Sequence, residues 1–200
     1  MNVAVQHLNQ GARRALHEHF LALPPEDRRL RFGLSPSVAA MAAYVDGIDF
    51  DRDELFGVHD DRLALVGVAH LGFGDDVAEL GLSVVPAHRG RGTGSALFER
   101  AAERARNRRV ARLFMYCLRE NGAIMRIAKR FGMDIVTDAG DAGAHLELAS
   151  PSATSIAGEF VTDRFALYDY ALKAHVAAWR GINAALDGAA TPPVAGPGQA

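Results

Sequence analysis

The chain has one cysteine, Cys117, among its 200 residues. An intrachain disulfide is excluded, and so is a zinc site built on cysteines. No apolar run reaches the roughly 18–20 residues that a membrane-spanning helix needs. The N-terminus lacks a hydrophobic signal core, because Gln6, His7, Asn9 and Gln10 interrupt it. A cytoplasmic protein without a membrane partner is the expectation. A large excess of one charge is also missing. The net formal charge is −2, which gives no ground for a nucleic-acid partner. The histidines show no ligand spacing: His17 and His19 are two apart on a predicted helix and diverge. No metal is expected.

What is present is enough apolar material for one sizeable core, with 49% hydrophobic residues. Residues 9–23 read as an amphipathic helix that Pro24 and Pro25 stop. Ser35-Pro36 is read as the cap of a helix ending near Val45. Glu54 to Val58 and Leu63 to Phe73 read as an antiparallel hairpin, and Val77 to Val85 as a third strand. Thr93 to Asn107 is a helix with Leu97, Phe98, Ala101, Ala102 and Ala105 on one side. Val110 to Leu118 is nearly all apolar, as for a strand buried on both faces. Asn121 to Phe131 is a helix closed by Gly132. Met133 to Thr137 and Ala144 to Ala149 read as a last strand pair. This order predicts an α/β fold: a mixed, mostly antiparallel sheet with helices on both faces.

The informative stretch runs from Glu79 to Gly94. A strand enters the turn Arg89-Gly90-Arg91-Gly92-Thr93-Gly94, and the turn opens a helix. Glycines permit positive φ and close approach of a ligand. Converging N–H groups and the positive end of a helix make a pyrophosphate site. Other glycine-rich phosphate loops fail on spacing. A Walker loop needs a Lys that is absent, and the dinucleotide fingerprint needs Gly-x-Gly-x-x-Gly where this chain has Gly90-x-Gly92-x-Gly94.

Arg89-x-x-Gly92-x-Gly94 resembles the signature of the GNAT acetyltransferase superfamily, Arg/Gln-x-x-Gly-x-Gly/Ala. Asn121 with Ile124, Ala128 and Phe131-Gly132-Met133 is similar to the Asn-containing helix of the same family. The resemblance covers roughly residues 54–148. It implies acetyl-CoA as co-substrate. The backbone of Leu82 and Val84 would pair with the pantetheine arm, Arg89, Gly90, Arg91, Gly92, Thr93 and Gly94 would cradle the pyrophosphate, and Asn121 would reach the pantetheine region. The side chains of Arg89 and Arg91 either add charge at the phosphates or are simply solvated.

Acyl transfer to an amine needs a deprotonated nucleophile and a proton for the departing thiolate. The family often places a Tyr seven residues after the helix Asn, and here that position is Ala128. Strand periodicity puts Glu79, Gly81 and Ser83 on one face and Leu80, Leu82 and Val84 on the other. A carboxylate beside two small residues leaves room for an amine. Glu79 also resembles the general base of the protein lysine acetyltransferases that act on acyl-CoA synthetases. Glu79 is the catalytic candidate, as a partly desolvated carboxylate, and His70 is a second one. Tyr116 and Cys117 could donate the proton, although a single apolar-flanked Cys is more often inert core.

Residues 1–150 are expected to form the acyltransferase domain, 151–186 a helical extension and 187–200 a disordered tail. Ile156, Phe160, Leu167, Ala171, His175 and Trp179 keep an approximately helical period. This helix either covers a sheet face or meets a second subunit, giving a homodimer, or a protein substrate. Two functions stay open: an N-acetyltransferase acting on a primary amine (a small amine or a protein lysine), and a non-catalytic acyl-CoA sensor. A domain with no ligand is the weakest reading.

Overall fold

The computed structural model describes residues 3–74, 76–138 and 141–189. The chain begins with a short strand, β1 (Gln6–Leu8), and a 3-10 turn that Asn9 caps through its side chain. Helices α1 (Arg13–Ala22), α2 (Pro25–Phe32) and α3 (Val38–Asp46) follow. Pro25 takes the first position of α2, where its missing N–H costs nothing. Gly33 ends α2 in the left-handed region, at φ 76°. The cap of α3 is Ser37, whose hydroxyl accepts from the N–H of Ala40, and not Ser35.

Strands β2 (Glu54–His59), β3 (Leu65–Phe73) and β4 (Val77–Val84) form an antiparallel meander. Then come α4 (Thr93–Asn107), β5 (Arg112–Leu118), α5 (Gly122–Arg130), β6 (Asp134–Asp138), β7 (Asp141–Glu147) and α6 (Ala153–Ala189). The sheet order is β1-β2-β3-β4-β5-β7-β6. Only β4 and β5 run parallel. Strand β1 escapes sequence reading, since three residues carry no periodicity. Strand β5 is not buried on both faces as its apolar run suggests. Its burial alternates, and Tyr116 is 45% exposed.

Helices cover both faces. On one, Leu97, Phe98 and Ala101 of α4 and Ala128 of α5 pack on Phe56, Leu71, Leu80 and Leu82. On the other, Leu16 and Phe20 of α1 and Met41 and Val45 of α3 pack on Leu55, Leu65 and Val68. The sheet is therefore the middle layer of three.

Helix α6 packs through charge, not through its apolar stripe. Arg100 of α4 pairs with Glu159 (3.0 Å) and Asp163 (2.5 Å), and Asn107 bonds Glu159. Arg104 and Arg108 turn to Glu54, as does His7 (2.5 Å). Burial alone would push the Glu54 carboxyl up, but hydrogen bonds from His7 and Arg104 outweigh it and hold the group at about 2. Arg100, Arg104 and Arg108 thus form an internal ion-pair network with Glu54, Glu159 and Asp163. Ile156, Phe160, Leu167 and Trp179, read from the sequence as one apolar face, are more than half exposed. Among the described residues, those that α6 buries are Glu159 and Ala166. The helix runs to Ala189, past the expected limit at residue 186, and residues 190–200 lie outside the described residues. Among the described residues, no helix is long and apolar enough to cross a membrane.

Candidate active site

Strands β4 and β5 pair only at Val77↔Arg112, Ala78↔Leu113 and Glu79↔Phe114. Beyond Glu79 they diverge. On its other edge β4 stays paired with β3 as far as Val84. The N–H of Val85 bonds the carbonyl of Val66 (2.9 Å), so the ladder alternation turns the backbone of Leu82 and Val84 away from β3 and into the gap. A free strand edge in a cleft can add a ligand as an extra strand.

The cleft continues into the glycine loop. Gly90 (φ 72°) and Gly92 (φ 84°) both occupy the left-handed region. Gly92 caps α4 with no side-chain hydrogen bond, so the first-turn amides of that helix meet the cleft at its positive end. A Cβ at Gly94 would lie 2.9 Å from Ile127, which explains a third small residue where α4 approaches α5. Together these surfaces line a cleft of about 470 Å³ that includes Leu82, Val84, Arg89, Gly90, Gly92, Thr93, Gly94 and Asn121.

The predicted arginines separate here. Arg89 lines the cleft, donating from Nε to the Val84 carbonyl (2.9 Å) and pairing with Asp27 of α2 (2.6 Å). It ties α2 to the end of β4 and occupies one of the acceptors on that strand edge. Arg91 is exposed and is not part of the lining. Arg126 and Arg130 of α5 line the cleft instead. Sequence reading missed them, because i, i+4 arginines on an amphipathic helix are equally the pattern of an ordinary solvated face. Asn121 is buried and serves as the α5 cap: its side-chain oxygen accepts from Ile124 (3.2 Å), and its amide donates to the Leu30 carbonyl (3.4 Å).

Through the gap between β4 and β5 the cleft meets a smaller cavity of about 250 Å³. Leu30, Arg31, Leu82, Asn121 and Ile124 border both. Glu79, Gly81, Tyr44, Tyr116 and Cys117 belong to the smaller one. Glu79 is exposed at its edge rather than desolvated as expected from the sequence. Cys117 is buried, its thiol is pushed up by burial, and it reaches the Ala142 carbonyl (3.4 Å). Ala128 is fully buried in the core.

Two histidine arrangements flank these cavities. His70 has both ring nitrogens occupied, by Tyr44 Oη (2.5 Å) and by Asp53 (3.1 Å). Burial lowers its pKa against the opposing hydrogen bond that it donates to Asp53, and burial raises that of Tyr44. His19, which the sequence did not single out for the site, bonds the Leu65 carbonyl through Nδ1 (2.9 Å) and the hydroxyl of Ser83 through Nε2 (2.8 Å). The carbonyl can only accept, so Nδ1 donates and neutral Nε2 accepts from Ser83. Burial lowers the pKa of His19 to about 4, although the Leu65 bond opposes it.

The unfolded chain protonates a histidine near pH 6.5, whereas folded His19 stays neutral down to about 4. Stability is therefore complete above pH 6.5 and falls as pH drops through 6.5 toward 4, by roughly 3 kcal/mol over the window. Urea midpoints of the wild type are expected to fall across that range, with a flatter profile in His19→Gln. An equally steep profile in the variant would place the acid sensitivity elsewhere.

The sequence profile of the Acetyltransferase (GNAT) family matches residues 13–133. The chain belongs to the GNAT acetyltransferase family. No curated protein sequence matches the chain significantly. Solved GNAT structures share its fold. The GNAT domain of S. lividans PAT superposes with a TM-score of 0.65 at 20% identity, over 74% of this chain and 95% of that one. A GNAT superfamily phosphinothricin acetyltransferase from Sinorhizobium meliloti, in complex with acetyl-CoA, gives 0.59 at 16% identity, over 76% and 95%. The PaiA N-acetyltransferase from Thermoplasma acidophilum, in complex with coenzyme A, gives 0.56 at 16%, over 74% and 99%. In this GNAT chain the glycine loop and the β4–β5 gap lie within the matched residues, and α6 lies beyond them.

Proposed function

We propose that this protein transfers the acetyl group of acetyl-CoA to a primary amine. The observation that carries this reading is the divergence of β4 from β5, which opens a strand edge directly into the Gly90–Gly94 loop and the start of α4. The first-turn amides of α4, with Arg126 and Arg130, offer positive potential to a pyrophosphate. The edge of Leu82 and Val84 offers hydrogen bonds to the pantetheine amides. The thioester then falls near the border of the two cavities.

The amine enters beside Glu79. A primary ammonium has an ordinary pKa of about 10.4, so it arrives charged. Glu79 takes its proton, directly or through water. The nitrogen forms a bond to the acetyl carbon, the carbon–sulfur bond breaks, and the thiolate leaves as the thiol once protonated. Ala128 cannot supply that proton. Tyr116 of β5 lines the acceptor cavity and is the side chain suited to do so. The buried Ala128 also favours a second reading, a sensor that binds acyl-CoA without turnover.

Acetyl-CoA at ~100 times its dissociation constant is expected to add about 2.7 kcal/mol of stability. For a chain of this length the melting temperature should rise by roughly 5–10 °C. An unchanged melting temperature at millimolar acetyl-CoA would remove the coenzyme from the function. Thiol release with mixed amines separates the two readings: binding with turnover supports the transferase, and binding without it supports the sensor.

A further inference from the structure

The small cavity contains two unlike charges that do not satisfy one another. Arg31, in the last turn of α2, extends its guanidinium over Gly81 so closely that a Cβ there would lie 1.8 Å from its terminal nitrogen. Gly81 is the one residue on that strand face that admits it. On the same helix Arg29 is paired with Glu26 and Glu120, whereas Arg28 enters no ion pair among the described residues and does not line the small cavity. Arg31 enters no ion pair among the described residues. Its one hydrogen bond is a 3.3 Å contact to Tyr44 Oη, and its Nε is buried with no partner. The Glu79 carboxylate, two residues along β4 in the same cavity, likewise forms no hydrogen bond or ion pair among the described residues. A partly desolvated guanidinium with unused donors is costly unless an anion completes it.

Resting on the transferase reading above, we infer that the acceptor is a free amino acid or close analogue, whose carboxylate meets Arg31 while its amine faces Glu79. Two residues along a strand are about 6.6 Å apart. The cation and anion sites therefore suit a molecule whose charges are a few ångströms apart. The cavity, at about 250 Å³, is smaller than the roughly 300–1,000 Å³ of drug-sized ligand sites. A lysine within a peptide carries no carboxylate near its reacting nitrogen and leaves Arg31 unanswered. Tyr44, itself held by His70, orients the guanidinium.

The test measures acetyl-CoA-dependent thiol release with the α-amino acids, their α-amides and a lysine peptide blocked at both ends. The enzymes are wild type, Arg31→Gln and Arg31→Lys. At least one amino acid is expected to exceed its own amide by about 100-fold in kcat/KM, the size of a lost charge-assisted pair. Arg31→Gln should erase that ratio, and Arg31→Lys, which keeps the charge without the fork, should leave part of it. A cooperative melting transition establishes that each variant is folded. Equal rates for acid and amide in the wild type, a ratio that survives in Arg31→Gln, or turnover of the blocked peptide alone would overturn the assignment while leaving the transferase standing. Coenzyme binding with no thiol release from any amine would overturn both.

Discussion

Glu79→Gln is expected to bind acetyl-CoA normally and to turn over ~10²–10⁴ times more slowly at neutral pH, the usual worth of general-base help. Glu79 is the last β4 residue paired with β5, so it stands where the two strands part. Its side chain lies on the Gly81 and Ser83 face, toward the acceptor cavity, while the glycine loop is reached at the far end of the strand. The carboxamide keeps the shape and removes the proton acceptor. Because a free amine supply grows as pH rises toward about 10.4, the variant's rate should recover with pH. Calorimetry checks the coenzyme, and the pH profile of turnover checks the base. Wild-type turnover in the variant, with chemistry shown to limit the rate, would remove Glu79 from the mechanism. His70 is poorly suited to replace it, since both its ring nitrogens are already bonded.

Gly92→Val should weaken acetyl-CoA binding by at least about 100-fold. The cause is backbone conformation rather than crowding within the protein. No atom lies within 4 Å of a Cβ built on Gly92, yet its φ is 84°. A β-branched residue resists that region at a cost of order 1–3 kcal/mol. The loop must shift, and the amides that start α4 lose their common direction. Gly132→Val provides the control. Gly132 has φ 68°, is equally open, follows the C-terminal end of α5 and is not part of the cleft lining. Both variants should lose stability, but Gly132→Val should keep its coenzyme affinity. Unaltered affinity in Gly92→Val would mean that the pyrophosphate sits elsewhere.

Both residues in these predictions were legible without coordinates, for a local reason. The path from Glu79 to Gly94 is one continuous piece of chain, in which alternation sets the strand face and glycine sets the turn. Helix α4 has the limits its apolar spacing predicts, Thr93 to Asn107. Errors arose where local signals were thin or competed. Ser35 and Ser37 are both plausible caps, and only the hydrogen bond to Ala40 decides for Ser37. The apolar stripe of α6 suggested its buried face, but Arg100 and Arg104 hold the helix by Glu159, so much of the stripe faces outward.

The amino-acid sequence by itself determined the fold family, the strand–loop–helix unit with its glycine turn, and the face of β4 that carries Glu79. The last two follow from period and glycine placement within sixteen consecutive residues, 79–94, and the fold family from the order of elements and the second motif at Asn121. Tertiary structure alone decided which side chains meet around the smaller cavity. Arg31 reaches Gly81, Tyr44 reaches His70, and His19 reaches Ser83, pairs from distant parts of the chain. No periodicity records such meetings. They arise because α1 and α3 pack on β2 and β3 while α2 lies against β4 and β5, and packing geometry, not spacing in sequence, selects which side chains share a cavity.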